Sequence, residues 1–238
     1  MTSKPLRIAP LLATCFALLW SAGLGVVAGS AGDGYERILA RFNSAAPPAY
    51  RAYRKMEAGL LDSDKRGWME VWTSYSPGRG LTYEVVKEGG SDYVRRKILI
   101  DFLDNEQQLI AQGHPMRAAV DARNYVVEDG GTSADGLQRI TLKAARKSDG
   151  LINGTLFLHP EAGYVTRMQG RLVKSPSFWL HDVDVTWKFA RIGRQVMPVE
   201  MSSTGRVRMF GRSDFKMVYE YVSIDGQPTG TAVVASRE

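Results

Sequence analysis

Residues 178–191 read FWLHDVDVTWKFAR, and this stretch decides the fold class. Apolar and polar side chains alternate along it, and the apolar positions are Val183, Val185, Trp187 and Phe189. A period of two residues is typical of a β-strand that has one covered face and one wet face. The stretch FKMVYEY, residues 215–221, repeats the pattern, and its apolar positions are Phe215, Met217, Tyr219 and Tyr221. Both stretches therefore predict half-buried strands.

Short strands and glycine-rich turns follow one another through the second half of the chain. The candidate strands are 119–127, 137–145, 151–158, 163–173, 178–191, 195–203, 206–211 and 214–224. Their spacing, with hairpin turns between them, indicates an antiparallel meander instead of a parallel sheet. Earlier in the chain, a turn at 77–80 joins strand 68–76 to the alternating residues Leu81, Tyr83 and Val85, which predicts one more hairpin.

Two segments have the periodicity of amphipathic helices. Asp33 and Glu36 form a capping-box pattern ahead of an apolar stripe that includes Leu39. In residues 91–112 apolar side chains recur four residues apart, at Val94, Ile98 and Phe102. The predicted fold is therefore α+β and mostly β. About ten antiparallel strands curl into an open half-barrel, and the two helices cover its concave side.

The first 31 residues have the pattern of a secretory signal peptide. Lys4 and Arg7 precede an uncharged stretch, and small residues then provide cleavage sites after Ala28 or Ala31. The alternative is an uncleaved inner-membrane anchor, since the uncharged stretch is just long enough to span a bilayer. Both alternatives predict a single periplasmic domain over residues 32–238. The only cysteine, Cys15, lies in the signal, so the domain is expected to have no disulfide.

Besides the order of helix, strands and turns, the second half of the chain contains a more specific sequence pattern. It comprises Asn124-Tyr125, KSPSFW at 174–179, Arg191-Ile192-Gly193-Arg194, Met197-Pro198, Ser202, Gly211 and Tyr219-Glu220-Tyr221. Over residues 33–225 the chain resembles the periplasmic lipoprotein carriers and lipoprotein-sorting proteins, which have the LolA/LolB-like fold. This resemblance implies an open, unclosed barrel with a helical lid, lined by apolar side chains that shelter acyl chains.

The candidate ligand-binding residues are the large apolar side chains on the predicted strands. They are Trp72, Tyr83, Trp179, Val185, Trp187, Phe189, Tyr219 and Tyr221. On a concave sheet such residues line an apolar pocket, or they form plain core beneath the helices. The first hypothesis is a periplasmic binding protein for a lipid or for lipoprotein acyl chains, with a carrier or chaperone role. The alternative is an envelope sensor or interaction module that binds a protein partner on the same sheet.

Other functional classes receive little support from the sequence. The three histidines have no metal-ligand spacing, so neither a metal nor a cofactor is expected, and no motif predicts an enzyme. Asp182 and Asp184 leave open an acid–base role on glycans, although solvent is the simpler environment for them. Export makes nucleic acid an unexpected partner. Arg206, Arg208 and Arg212 predict contact with an anionic membrane surface, or alternatively a solvated face that blunts edge pairing.

Overall fold

The computed structural model describes residues 39, 43, 47–112, 119–176, 178 and 180–230. These contain eleven strands and one continuous helical segment, besides two helical residues near the N-terminal side, Leu39 and Asn43. The strands are β1 (Tyr50–Leu60), β2 (Arg66–Ser76), β3 (Gly80–Gly90), β4 (Tyr125–Thr132), β5 (Gln138–Ala144), β6 (Ile152–Leu158), β7 (Val165–Leu172), β8 (Leu180–Ile192), β9 (Gln195–Val207), β10 (Gly211–Ile224) and β11 (Gln227–Pro228). The helical segment consists of α1 (Asp92–Val94), a π-helical stretch (Arg95–Ile100) and α2 (Asp101–Ala111).

All eleven strands belong to one open sheet in which every pairing is antiparallel. The order is β3-β2-β1-β10-β9-β8-β7-β6-β5-β4, with the short β11 beside β10. Because β3 and β4 stand at opposite ends and do not pair, the sheet does not close into a barrel. The predicted mostly-β class, with an open antiparallel sheet, is confirmed.

Side chains alternate between a buried inner face and a wet outer face. In β8 the inner side chain Trp187 is fully buried, whereas the outer side chains of Asp184 and Lys188 are exposed. The outer residues form ion pairs across the strands. Asp184 binds Arg171 of β7 at 2.7 Å, and Lys188 binds Glu200 of β9 at 2.9 Å. The alternation read from the sequence therefore corresponds to a covered face and a solvated face.

The helical segment, called here the covering helix (residues 92–111), lies on the inner face of β1, β2 and β3. Its stripe Val94, Ile98 and Phe102 is buried, as the four-residue spacing predicts. The Phe102 ring stacks on Phe215 of β10, with ring centroids 4.8 Å apart. Burial of a side chain of this size contributes about 1.5–3 kcal/mol. The helix changes to π geometry midway, a departure that is common at functional sites.

Only two residues of the first predicted helix are described, and both are helical. Leu39 packs in the buried cluster of the sheet. Asn43 is fixed by two hydrogen bonds to one residue, because its Nδ2 donates to the Val120 carbonyl at 2.6 Å and its Oδ1 accepts from the Val120 N–H at 3.0 Å. The predicted signal, with its cleavage sites at Ala28 and Ala31, lies outside the described residues and stays a prediction.

Three predictions about strands were wrong. The sequence reading missed β1 altogether, although this strand lies in the interior of the sheet. Residues 119–124 form turns instead of the start of a strand, because the Asp121 carbonyl accepts the N–H groups of Asn124 and Tyr125. The predicted strand 206–211 is not a separate strand: β9 continues through Gly205 to Val207, residues 208–210 form the turn, and Gly211 begins β10.

Candidate functional site

A row of methionines crosses the inner face at one level of the sheet. Strand register places each member directly opposite the next, from β2 to β7, in the order Met69, Met56, Met217, Met201, Trp187 and Met168. Side chains that face each other in this way have Cβ atoms about 4.5–5.5 Å apart. All six side chains are buried. We call this set the methionine row; it holds five of the nine methionines in the chain.

Methionine suits a surface that must adapt its shape. The side chain is unbranched, has three rotatable bonds and carries a polarisable sulfur, so it fills irregular space and repacks around different neighbours. In the closed structure the methionine row packs as core. The same side chains can follow the contour of an inserted apolar ligand without loss of contact.

Trp187 interrupts the methionine row and contributes a polar atom at its centre. Its side chain is fully buried between Met168 and Met201, and no described residue accepts a hydrogen bond from the indole Nε1. A buried donor without an acceptor destabilises a fold by about 1–3 kcal/mol. An acceptor supplied by a ligand, such as an ester or amide carbonyl, would remove that penalty.

The structure places six of the eight candidate residues on the inner face. They are Tyr83, Val185, Trp187, Phe189, Tyr219 and Tyr221. Tyr219 and Tyr221 stack with ring centroids 5.7 Å apart, and the Tyr83 hydroxyl donates to Asp104 of α2 at 2.5 Å. Burial, together with this bond to Asp104, raises the pKa of Tyr83.

The two remaining candidates do not join this group. Trp72 lies on the outer face, where its ring meets Tyr53 edge-on at 4.9 Å and the Arg51 guanidinium sits 4.6 Å from the ring centroid. A ligand on the inner face would not touch it. Trp179 lies outside the described residues.

Sequence reasoning missed the most unusual part of the inner face, a buried ion pair. Arg54 of β1 and Glu106 of α2 are both buried, and the Arg54 Nη1 lies 2.6 Å from Glu106 Oε2. Arg54 Nη2 donates to the Tyr50 hydroxyl at 2.7 Å, and the guanidinium lies 4.6 Å from the Tyr219 ring centroid. The Sδ atom of Met217, in the methionine row, is 3.9 Å from Nη1.

The local pattern that carries this pair is visible in the sequence of β1 once its phase is known. The inward positions are Tyr50, Ala52, Arg54, Met56, Ala58 and Leu60. Arg54 is the one charge among otherwise apolar or aromatic positions, whereas Arg51, Lys55 and Glu57 all point outward. A single charge on an apolar face signals a buried and paired group.

Burial governs the electrostatics of this cluster. Removal of the Glu106 carboxyl from water raises its pKa, and the neighbouring Arg54 offsets only part of that effect. Arg54 loses hydration as well, but Glu106 and the nearby tyrosines hold its pKa well above the usual value, so it stays cationic. Burial also raises the pKa of Tyr50 to about 12, which keeps that hydroxyl protonated as it accepts from Arg54.

Polar contacts fasten the covering helix to the sheet. Besides the Arg54–Glu106 and Tyr83–Asp104 pairs, the Gln107 Nε2 donates to the Leu81 carbonyl of β3 at 2.7 Å. A cavity of about 20 Å³ remains between α1, the π-helical stretch and the β8–β10 end of the sheet, room for about one water molecule. A ligand the size of an acyl chain would fit this cavity only if the covering helix moved.

Asp182 and Asp184, the candidates for acid–base catalysis, lie on the outer face in separate polar contacts. Arg171 holds the Asp184 carboxylate through two nitrogens, at 2.9 and 2.7 Å, and this bond lowers the pKa of Asp184. Asp182 sits at a bulge of β8 with a φ of 51° and contacts His181 at 3.1 Å. Each carboxylate thus has its own cationic or imidazole partner, the arrangement of surface ion pairs.

Within the described ranges, no three His, Cys, Asp or Glu side chains are grouped to hold a metal ion. Nor does that part of the chain contain a helix long and apolar enough to cross a membrane.

Comparison with known proteins finds similarity at the level of solved structures only. No family model and no curated protein matches the chain. A LolA superfamily protein from Nitrosomonas europaea aligns with a TM-score of 0.37 and 10% identity, over 82% of this chain and 92% of that one. A DUF1329 family protein from Desulfovibrio piger aligns with a TM-score of 0.41 and 7% identity, over 79% and 90%.

A third solved structure, named for outer membrane lipoprotein sorting and taken from Vibrio parahaemolyticus, is similar at the same level. It aligns with a TM-score of 0.37 and 7% identity, over 74% of this chain and 85% of that one. The similarities are distant and carry no function to this chain. The open antiparallel sheet with a helix on its inner face is the architecture that the sequence resemblance implied.

Proposed function

We propose that this protein binds a hydrophobic ligand, a lipid or the acyl chains of a lipoprotein, on the inner face of its sheet. The methionine row is the observation that carries the proposal. It offers a continuous, adaptable apolar surface across six strands, and at its centre lies the indole N–H of Trp187, which has no acceptor among the described residues. The resemblance read from the sequence suggests acyl chains as the ligand class and the periplasm as the compartment.

The covering helix acts as a lid in this proposal. Ligand entry separates α2 from β1 and β3, which opens the Arg54–Glu106 and Tyr83–Asp104 contacts and exposes the methionine row. Because these contacts are polar and directional, the lid returns to one closed position when the ligand leaves. Opening of the lid breaks the ion pair between Arg54 and Glu106 but exposes both side chains to water. Their hydration offsets part of the lost interaction energy, since two solvated charges gain little from pairing.

The first experiment is extraction of the native ligand. The protein is expressed with its own signal, purified without detergent and extracted for lipid mass spectrometry, with an unrelated periplasmic protein as control. Stoichiometric lipid or acylated peptide is the expected result. A clean extract from a folded sample would contradict stable lipid carriage and would favour the alternative, an interaction module that binds a protein partner on the same sheet.

A second experiment tests the methionine row itself. The triple variant Met56→Leu/Met201→Leu/Met217→Leu keeps the apolar volume but loses flexibility, so its stability should change little. Binding of the fluorophore N-phenyl-1-naphthylamine, and its displacement by fatty acids of different lengths, should become restricted to fewer chain lengths. Met209→Leu, outside the row, is the matched control. Identical displacement profiles for both variants would show that the flexibility of the methionine row does not set which chain lengths bind.

The role of Trp187 has a separate test. Trp187→Phe keeps an aromatic ring but removes the N–H, so it should weaken binding of a fatty acid methyl ester about fivefold, the value of one hydrogen bond. Binding of the alkane of equal length should be unchanged. An equal loss for ester and alkane would show that the indole N–H does not contact the ligand.

The expected contact of Arg206, Arg208 and Arg212 with an anionic membrane surface is part of this proposal. All three are exposed, and all lie at the end of the sheet where β9 turns into β10. A carrier has to meet a membrane to collect or release its ligand, and cations near anionic lipid contribute about 1 kcal/mol each.

A further inference from the structure

Exposed apolar side chains gather at one end of the sheet. We call this end the tip and define it as residues 61–66, the β1–β2 turn with the first residue of β2, and residues 206–214, the β9–β10 turn with its flanks. In the tip, Met209 is 89% exposed, Leu61 43% and Phe210 40%. Phe178, 70% exposed, stands beside it with its ring centroid 4.3 Å from the Arg208 guanidinium carbon. Four of the seven exposed large hydrophobic side chains in the described ranges are thus at this end.

Specific contacts hold the two turns of the tip together. The Leu61 N–H donates to the Arg212 carbonyl at 2.7 Å, and the Arg212 N–H donates to the Asp62 carboxylate at 2.9 Å. Gly211, with a φ of 77°, lets the two turns approach, because a Cβ there would come within 1.7 Å of the Asp62 oxygen. The exposed side chains therefore project from a fixed support.

The backbone at Met209 is in an unfavourable conformation. Its φ of 69° lies in the left-handed region, where glycine and asparagine are tolerated and other residues are strained. A methionine at this position gains almost no burial within the protein that would compensate the strain. Such an outlier at an exposed turn points to a use outside the folded chain.

The charges of the tip match an anionic surface. Its two segments contain five cations and three carboxylates, a net charge of +2. Asp214 is bound to Arg66, and Asp62 accepts the Arg212 N–H. Arg206 and Arg212 are direct cross-strand partners, an arrangement of like charges that destabilises a sheet unless an anion lies between them.

We propose that the tip is a membrane-docking device in which Met209, Phe210 and Leu61 enter the acyl region of an anionic bilayer. Arg206, Arg208 and Arg212 contact the lipid phosphates around them. The proposal goes beyond the electrostatic contact proposed above and does not depend on a bound ligand. It also orients the molecule: the small cavity under the covering helix is lined by Leu60 and Val207, which directly precede the two turns, so this end of the inner face meets the bilayer.

Vesicle flotation tests the insertion. Full-length protein, expressed with its own signal, is mixed with phosphatidylethanolamine vesicles that contain or lack phosphatidylglycerol. We expect Met209→Ser/Phe210→Ser to reduce the partition coefficient on the anionic vesicles by about 10-fold or more, from the apolar burial lost. The control Val86→Ser/Val126→Ser removes two exposed side chains on the edge strands and should partition like the wild type. Equal partitioning of tip variant and control would overturn the proposal.

Met209→Asn separates membrane insertion from a structural role. Asparagine tolerates the left-handed backbone, so the melting temperature should stay equal or rise, while vesicle binding falls. A fall in both would mean that Met209 serves the fold and would overturn the proposal. Sedimentation equilibrium without lipid supplies the last criterion, because loss of a dimer in the tip variant would identify a second copy as the occupant and would also overturn it.

Failure of this proposal is distinguishable from failure of the proposed function. Lipid mass spectrometry reports on the inner face and does not involve the tip, whereas flotation of the tip variants does not require a ligand beneath the covering helix. Salt provides an internal check, since the arginine contribution should be screened at high ionic strength while the contribution of Met209 and Phe210 persists.

Discussion

The inner face of the sheet is buried in two different ways on its two halves. Beneath the covering helix, the half formed by β1 and β10 includes a charged pair, Arg54 and Glu106, and the hydroxyl of Tyr50. On β5 to β8 the buried inner side chains are apolar, and within the described residues the Trp187 indole is their only polar group. Polar contacts have direction and hold one position, whereas apolar contacts tolerate repacking. The first half therefore positions the helix, and the second half can change its shape.

The largest expected effect comes from breaking the charged pair. Glu106→Leu or Arg54→Met should each lower the free energy of unfolding by about 3–5 kcal/mol, because each leaves a buried polar partner without its counter-charge and without its hydrogen bonds. The double variant Arg54→Met/Glu106→Leu should be less destabilised than either single variant, since apolar side chains suit a buried site. Urea unfolding measures all three, and additive losses in the double variant would show that the two residues act independently.

The apolar half should respond to volume instead of charge. Met201→Ala should lower the free energy of unfolding by about 2–5 kcal/mol through the cavity it leaves, whereas Met201→Leu should lower it by less than about 1.5 kcal/mol. The same urea experiment compares them. If leucine were as damaging as alanine, the methionine row would require a specific sulfur contact, and the contrast between the two halves would weaken.

The pH dependence of stability sharpens the comparison further, because Glu106 under the helix is a buried acid, whereas β5 to β8 bury none. Burial raises the pKa of Glu106 above its ordinary value of 4.5. Its contribution to stability is then fully present below 4.5 and is lost as pH rises through the folded-state pKa. Relative to Glu106→Gln, the wild type should lose free energy of unfolding as pH rises through this range. Parallel curves for the two proteins would contradict the expectation.

The smallest effect is expected on the outer face. Asp184→Asn breaks the ion pair with Arg171, but both side chains are at least half exposed. Exposed pairs contribute about 0–1 kcal/mol, and this fraction should vanish in high salt. Thermal unfolding at low and high ionic strength measures the difference. A loss as large as that of Glu106→Leu would mean that the outer face is as important to stability as the buried pair.

How much of the fold the sequence predicts depends on where the charges of each strand point. In β8 every charge faces outward, so the alternation is clean and the strand is predicted nearly to the residue. In β1 Arg54 faces inward among apolar positions, while Arg51, Lys55 and Glu57 face outward. The resulting run of charges hides the period of two, and the strand was missed. Arg54, whose inward charge hides the alternation of β1, is therefore also the residue that binds the covering helix through Glu106.

The candidate site was predictable only in part. Trp187 and Phe189 are recognisable as inward because alternation within one strand reveals the face. The methionine row is not recognisable, because its members lie on six strands and come together only through register, from Met56 of β1 to Met217 of β10. Trp72 shows a different limit. The alternation of β2 places Trp72 on the face opposite Met69, but which of the two faces is the inner one depends on the whole sheet.

The interior position of β1 has a consequence for the order of folding. Its neighbour β10 is the last long strand, so closing contacts such as Ala49 N–H to the Asp225 carboxylate join residues 176 positions apart. Until the end of the chain is available, β1 presents an open edge, and pairings of such long range are slow to form. During synthesis from the N-terminus, the β1–β3 meander therefore cannot pair with β10 until almost all of the remaining chain has been made. Shielding of this edge by other proteins during that interval would reduce aggregation.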